Sequence, residues 1–287
     1  MSNLTYVLVT PAKNEAKYIP ETIKSVTTQK IKPLKWVIVN DGSTDGTEKI
    51  VLKAARQYPY IKLISRTAKS SHSFESVVRA IEYGIQHISV KKYAFIGLID
   101  ADVQFRSDYF FLLMKKMESK PTIGLAGGMV VDITTRRQRV PRNKNDVPGA
   151  TQFFRKECFE AIGPLIPVAA GGWDMLTCAK ARMVGFETRL YPDLMVKHLK
   201  PRNASQGSLL KRVWNMGVRD YALGYHPVFE TLKCIDRIRE PPMLFGAFIW
   251  LMGYSFAFLT RKDRNIPKDI LEFIRKEQLQ RIREIFC

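Results

Sequence analysis

Asp100 and Asp102 stand one residue apart where an apolar run, Tyr93 to Ile99, ends in the stretch LIDADVQF. Carboxylates this close repel each other unless a positive charge shares their space. A hard divalent cation with oxygen ligands, Mg2+ or Mn2+, relieves that repulsion and can bridge to a diphosphate. In an extended chain residues i and i+2 project to the same side, so both acids can face one point beyond a sheet edge. A plainer reading also fits Asp-x-Asp taken alone: one acid caps a helix near Ser107 and the other shapes a turn.

Two further loops carry polar chemistry. NDGSTDGT puts Asp41 directly after an apolar run, where a carboxylate can accept hydrogen bonds from a base imide or a ribose. Ser43, Thr44 and Asp45 follow as caps for a helix through Glu48. PAKNE presents Asn14 and Glu15 at a helix start. Further along, GGWDMLTCAKARMVGF places Asp174 in a first helical turn, where the dipole favours a carboxylate. Such an acid can act as a general base or as a simple cap, and Trp173 beside it as a sugar platform or a core aromatic. His198 ends an apolar run and suits a metal ligand, a phosphate partner or a structural role.

The elements that must position these residues show in the periodicity. Tyr6–Thr10, Trp36–Val39, Ile61–Ile64 and Tyr93–Ile99 read as buried strands, with helical spacing over roughly Glu15–Thr28, Asp45–Tyr58 and Ser73–Ile88. This alternation predicts an α/β fold with a mostly parallel sheet and helices on both faces, its ligands at the carboxyl ends of the strands. Ile123–Val131 reads as a fifth strand, followed by a mobile or disordered loop, Asp132–Pro148, that carries Arg136, Arg137, Arg139, Arg142 and Lys144. A helix from about Trp173 to Gly185 and short strands at Thr188–Tyr191 and Leu194–Lys197 complete residues 1–205, read as the catalytic domain.

Residues 206–287 differ in character. Pro241–Thr260 holds no charge, and basic residues flank it on both sides: Lys233, Arg237 and Arg239 before, Arg261, Lys262 and Arg264 after. A single span would push one cluster to the wrong side of a bilayer. A helix or hairpin lying in the cytoplasmic leaflet keeps both near anionic headgroups, and the amphipathic tail fits the same surface. The alternative is a soluble helical appendage.

The chain has 287 residues, 46% hydrophobic, with 46 Lys+Arg against 27 Asp+Glu and a formal net charge of +19. That composition excludes a disordered tail and favours an anionic partner. The four cysteines, Cys158, Cys178, Cys234 and Cys287, form no CxxC or Cys/His cluster, which argues against zinc and a disulfide framework. The start MSNLTYVLVT lacks a signal core, so the expected location is the cytoplasm, peripheral or monotopic on the inner membrane face.

In order and spacing, VTPAKNEAKYI, VNDGSTDGT and LIDADV resemble a family 2 glycosyltransferase with the GT-A fold. GGWDMLTCAKARMVGF resembles that family's acceptor-site helix and MVKH its closing metal-side histidine, over residues 4 to 200. The resemblance implies inverting transfer of a sugar from a UDP- or GDP-linked donor to a glycan or lipid-linked acceptor hydroxyl. It implies donor contacts at Pro11, Ala12, Glu15, Asp41 and Asp100, metal at Asp102 and Asp174 as base. Asn14, Ser43 and Ala101, on the same loops, complete the expected donor set, and His198 the metal set. Relatives carry a glycine-rich turn before the third helix, where this chain has AKSSHSFESVVRA; Lys69, Ser71 and Ser73 are placed to supply donor contacts there. The Gln-x-x-Arg-Trp box of processive synthases is missing at LLKRVW, so one sugar per encounter is expected. Two rivals remain in view: a nucleotidyltransferase, disfavoured because PAKNE is not a basic glycine-rich loop, and a nucleic-acid binder, disfavoured because acids crowd the strand ends.

Overall fold

The computed structural model describes residues 4–67, 73–133, 143–200, 208–239 and 243–286. Apolar runs form one half of the sheet, and those away from its edge are buried on both sides. Strands β1 (Tyr6–Ala12), β2 (Lys35–Asn40), β3 (Ile61–Ser65) and β4 (Phe95–Ile99) pair in parallel in the order β3-β2-β1-β4. Neighbouring residues on each strand serve opposite faces. Tyr6, Leu8, Trp36 and Ile38 pack into one core with α1 (Ile19–Thr27), α2 (Thr47–Gln57) and α4 (Tyr109–Glu118). Val7, Val9, Val37 and Val39 pack into the other with α3 (Phe74–Gln86), α5 (Lys156–Ile162) and α6 (Trp173–Met183). Helix α1 starts four residues later than expected, because Pro20 fits its first turn and the Glu15 carbonyl accepts from Tyr18 and Ile19 N–H groups before it.

The sheet is mixed, with six of its eight strands running the same way and two against them. β7 (Thr151–Arg155) runs antiparallel between β4 and β6 (Ile123–Asp132), and β8 (Glu187–His198) pairs in parallel with β6. β5 (Val103–Phe105) closes the eight-stranded sheet antiparallel to β8. Two of these strands escaped the periodicity. β5 is only three residues long, and β7 opens with Thr151 and Gln152, polar residues that are nonetheless buried. The two short strands expected at 188–197 are one strand with an irregular register near Gly128 and Met129.

The loop expected to be mobile over 132–148 is fixed where it is described. Val147 is buried and its N–H donates to Cys178 Sγ at 3.3 Å, while Leu190 N–H donates to the Lys144 carbonyl at 2.7 Å. Arg136, Arg137, Arg139 and Arg142, together with Lys69 and Ser71, lie outside the described residues. Among the described cysteines, Cys158, Cys178 and Cys234 are buried and free.

The chain divides into two compact units, residues 1–167 with 173–202, and 168–172 with 203–287. The second unit contains helices α7 (Leu209–Ala222), α8 (Pro227–Asp236), α9 (Phe245–Leu259) and α10 (Lys268–Phe286). Helices α7 and α9 meet at Gly217 and Gly253, where a Cβ on either residue would overlap the Trp250 or Trp214 carbonyl oxygen. A buried network joins three of the helices. Lys233 pairs with Asp220 and, at 2.7 Å, with Glu230, while Trp250 Nε1 donates to Asp220 at 2.7 Å. Burial, then the field of Asp220, pushes the Glu230 carboxyl up to about 7. Burial also opposes the Asp220 charge, yet Lys233 and Arg219 hold that carboxyl below its usual range. Among the described residues, no helix is long and apolar enough to cross a membrane.

Candidate active site

The two acids that end β4 converge through a turn. Residues 100–102 leave the strand before β5 begins, so it is the turn of the chain, and not the expected strand pleat, that brings both carboxylates to one place. Register then supplies the third group: β8 lies between β6 and β5, with His198 opposite both Val103 and Asp132. His198 Nε2 lies 3.5 Å from Asp102 Oδ1 and 3.9 Å from Asp100 Oδ2. One ligand atom from each residue falls within 4.8 Å of the others.

The donor set suits a divalent cation. His198 Nδ1 is 2.7 Å from the Lys200 carbonyl, which can only accept, so Nδ1 donates there and Nε2 is the ring nitrogen left facing the acids, the one that would ligate a cation. The two carboxylates repel each other, and a positive charge between them relieves that repulsion. Asp102 registers the same crowding. Burial, then Asp100 and Glu15, raises its carboxyl from 3.8 to about 8, with Lys200 acting in the opposite sense. Mg2+ or Mn2+ accepts such an oxygen-rich set with one imidazole.

Beside this cluster Lys200 Nζ meets Glu15 Oε1 at 2.6 Å. Glu15 is buried, and its Oε2 has no partner. Burial raises the Glu15 carboxyl while Lys200 works against that rise. For Lys200, burial opposes the charge, but the bond to Glu15 and the fields of Glu15 and Asp102 prevail and raise its ammonium. The pair is separated by 185 positions, and its only sequence trace is a lysine two residues beyond His198.

Asp41 is buried at the end of β2 and is held from two elements. Arg66, just after β3, gives its Nε to Oδ1 at 2.6 Å, and Ser76 in α3 donates its hydroxyl to Oδ2. Neither partner was anticipated, although Arg66 opens a loop on the expected ligand edge. Asn14 and Ser43 staple the first two loops together. Asn14 N–H donates to Ser43 Oγ at 3.0 Å, and Thr44 N–H to Asn14 Oδ1 at 2.8 Å. Asn14 has φ +55°, a left-handed conformation that asparagine tolerates. Ala16 N–H donates to Asp45 Oδ2 at 3.0 Å and Glu15 N–H to Thr47 Oγ1 at 2.8 Å. Asp45 also accepts from Thr47 N–H at the start of α2, although the N-cap position itself belongs to Gly46 and not to Asp45 or Thr44 as expected. Pro11 and Ala12 end β1 in register with Val39 and Asn40, and the Ala101 carbonyl accepts from Thr22 Oγ1 at 2.8 Å.

Asp174 sits in the first turn of α6 with Oδ2 accepting from Gly149 N–H at 3.0 Å. Gln152, opposite Leu98 in the β4 pairing, donates Nε2 to the Asp174 carbonyl at 3.0 Å. The next residue after Gly149, Ala150, receives the Asp100 N–H at 3.4 Å. Asp174 and the acidic cluster thus flank a single two-residue segment. Gly149 permits this approach: a Cβ there would stand 2.7 Å from the Trp173 ring. Trp173 itself is buried in the core, so its role is the core aromatic and not an open sugar platform.

Comparison with known proteins places this geometry. The family model for Glycosyl transferase family 2 matches residues 7–181. The chain is 34% identical over 120 residues to dolichyl-phosphate beta-glucosyltransferase ALG5A of Trichomonas vaginalis, covering 39% of this chain and 35% of that protein. It is 25% identical over 281 residues to poly-beta-1,6-N-acetyl-D-glucosamine synthase of Staphylococcus epidermidis, covering 86% of this chain and 63% of that one. The chain therefore spans about a third to just under two thirds of the length of these curated relatives. Among solved structures it resembles mannosyltransferase PcManGT of Pyrobaculum calidifontis, determined in complex with GDP-Man and Mn2+. That match has a TM-score of 0.59 and 19% identity, covering 92% of this chain and 76% of the other. TarS 1-349 of S. aureus in complex with UDP-GlcNAc gives a TM-score of 0.56 at 14% identity, over 89% of this chain and 73% of that one. The structural likeness establishes a shared GT-A-like fold, and with the family match covering more than half of its length, this chain belongs to glycosyl transferase family 2.

Proposed function

We propose that the protein is a metal-dependent inverting glycosyltransferase that moves a sugar from a nucleotide-diphosphate donor to an acceptor hydroxyl. The observation that carries this reading is the convergence of Asp100, Asp102 and His198 on one point at the carboxyl end of β4. These three residues would hold Mg2+ or Mn2+, and the ion's chemistry there is neutralisation of the charge that develops on a departing diphosphate. Mn2+ accompanies the donor in the related mannosyltransferase structure.

The remaining roles follow from position. Pro11, Ala12, Asn14, Ser43, Asp41 and Ala101 border the donor side; Asp41, fixed by Arg66 and Ser76, accepts from the nucleoside. The unpartnered Glu15 Oε2 takes a hydroxyl donor from the same ligand. Asp174 accepts the acceptor's hydroxyl proton as the acceptor oxygen bonds to the anomeric carbon and the bond from that carbon to the diphosphate oxygen breaks. Attack on the face opposite the leaving group inverts the anomeric configuration. Gly149 N–H and the start of α6 keep Asp174 oriented for that transfer. Lipid-linked or cell-surface glycan synthesis on the inner face of a membrane is the setting we propose, given the basic helical unit at the carboxyl end.

A thermal-shift panel of UDP- and GDP-sugars, with and without Mn2+, tests the reading. Stabilisation by one nucleotide class, only with metal and lost in Asp102→Asn, is the expected result. Equal stabilisation with the metal chelated would refute it.

A further inference from the structure

Helix α9 has two opposite apolar faces: one is packed, and the other is largely exposed, with the Phe256 ring meeting a neighbour, Trp214, at 5.6 Å. Gly246, Ala247, Gly253, Tyr254 and Ala257 are buried. At 100° per residue they fall within an arc of about 120° centred on the contact with α7. Phe245, Phe248, Met252, Phe256 and Leu259 fall within an arc of about 80° on the other side. Their exposures are 71, 62, 45, 51 and 79%. The stripe holds no polar residue and runs the length of the helix.

Basic residues stand beyond both ends of the stripe, and their charge says what meets it. Arg261 and Lys262 are exposed just beyond the carboxyl end of α9, and Arg239 is exposed before its start. Across residues 203–287 there are fourteen Lys and Arg against nine Asp and Glu. An apolar band rimmed by cations complements an anionic lipid surface, with acyl chains under the band and headgroups at the rim. The helix cannot cross such a bilayer: its 15 residues reach about 22 Å against a hydrocarbon thickness of about 30 Å. Its packed face also fixes its orientation, because Gly217 and Gly253 bring α7 into backbone contact along the side opposite the stripe.

We propose that α9 lies in the plane of an anionic membrane leaflet, inserting Phe245, Phe248, Met252, Phe256 and Leu259 while Arg239, Arg261 and Lys262 contact the headgroups. This deepens the membrane setting proposed above by naming the surface, and it rests on the burial and charge of the helical unit rather than on the transfer chemistry.

Flotation of the full chain with phosphatidylglycerol-rich and pure phosphatidylcholine vesicles tests it. Wild type floats with the anionic vesicles, and the bound fraction falls as salt rises. Phe248→Ser/Phe256→Ser lowers partitioning at least about a hundredfold, the scale for withholding two aromatic side chains from the acyl region. Arg261→Gln/Lys262→Gln flattens the salt dependence. Circular dichroism of each variant matches wild type, since these side chains are exposed. The proposal is overturned if wild type stays with the unbound fraction, or if both variants float as wild type does. A concentration-dependent dimer that Phe248→Ser/Phe256→Ser dissolves would give the face to a second copy of the chain and overturn it as well. Metal-dependent nucleotide binding is measured on the same preparations: its absence alongside intact flotation removes the transferase reading and leaves the docking surface standing.

Discussion

Replacing Asp102 with asparagine should make the metal-free protein more stable. Burial, Asp100 and Glu15 raise the Asp102 carboxyl from 3.8 to about 8, so the folded state resists ionisation that the unfolded chain undergoes freely. Each pH unit of that gap corresponds to about 1.4 kcal/mol, which sets a ceiling of about 6 kcal/mol. That ceiling already contains the attraction to Lys200; solvent screening and relaxation around the cluster reduce it further, and a gain of about 2 kcal/mol near pH 8 is the working figure. For a unit of this size that is a rise in Tm of roughly 4–8 °C. The sign follows from the raised value. Below about pH 4 both states hold the proton and the substitution gains little; the gain grows as pH rises towards 8 and then levels off. Differential scanning fluorimetry from about pH 5 to 9, in chelator and again in Mn2+, reads this directly. In Mn2+ the order reverses, because only wild type holds the cation well. A variant that melts lower than wild type in chelator at pH 8, or a difference independent of pH, would refute the reasoning.

Three other substitutions probe separate links. Asp174→Asn should retain donor binding while turnover falls by about a hundredfold or more, read as sugar release from the donor with acceptor present. Lys233→Met leaves Asp220 and Glu230 buried against each other without their shared cation; a loss of about 3–5 kcal/mol in the helical unit is expected by denaturant unfolding. Gly253→Ala forces α7 and α9 apart at the Trp214 carbonyl, and a loss of about 1–3 kcal/mol should appear in the same experiment.

The sequence was most legible where burial is uniform. β1, β2 and β4 are buried on both faces, so each reads as a nearly continuous apolar run, whereas β3 at the sheet edge is only partly buried; the loops that follow these strands are identifiable as one edge. Asp41, Asp100, Asp102 and His198 were accessible to that reasoning because each directly follows or ends such a run. The polar partners were not. Lys200 reaches Glu15 across 185 positions, and Arg66 reaches Asp41 only because β3 lies beside β2. β7 was hidden for a related reason: Gln152 is buried not by apolarity but by its bonds to the Val147 and Asp174 carbonyls. Nothing in the apolar pattern showed that β7 returns antiparallel between β4 and β6 in an otherwise mostly parallel sheet. Asp100 and Asp102 were paired for a mistaken reason, the pleat of a strand, when a turn produces the convergence.

Isothermal titration calorimetry of UDP and GDP into the full chain, with Mn2+ and with chelator, tests the central claim most directly. Heat of binding for one of the two nucleotides only when Mn2+ is present, abolished by Asp102→Asn and sharply weakened by His198→Ala, is the predicted result. Binding of equal strength in chelator, or unchanged in both variants, would contradict it.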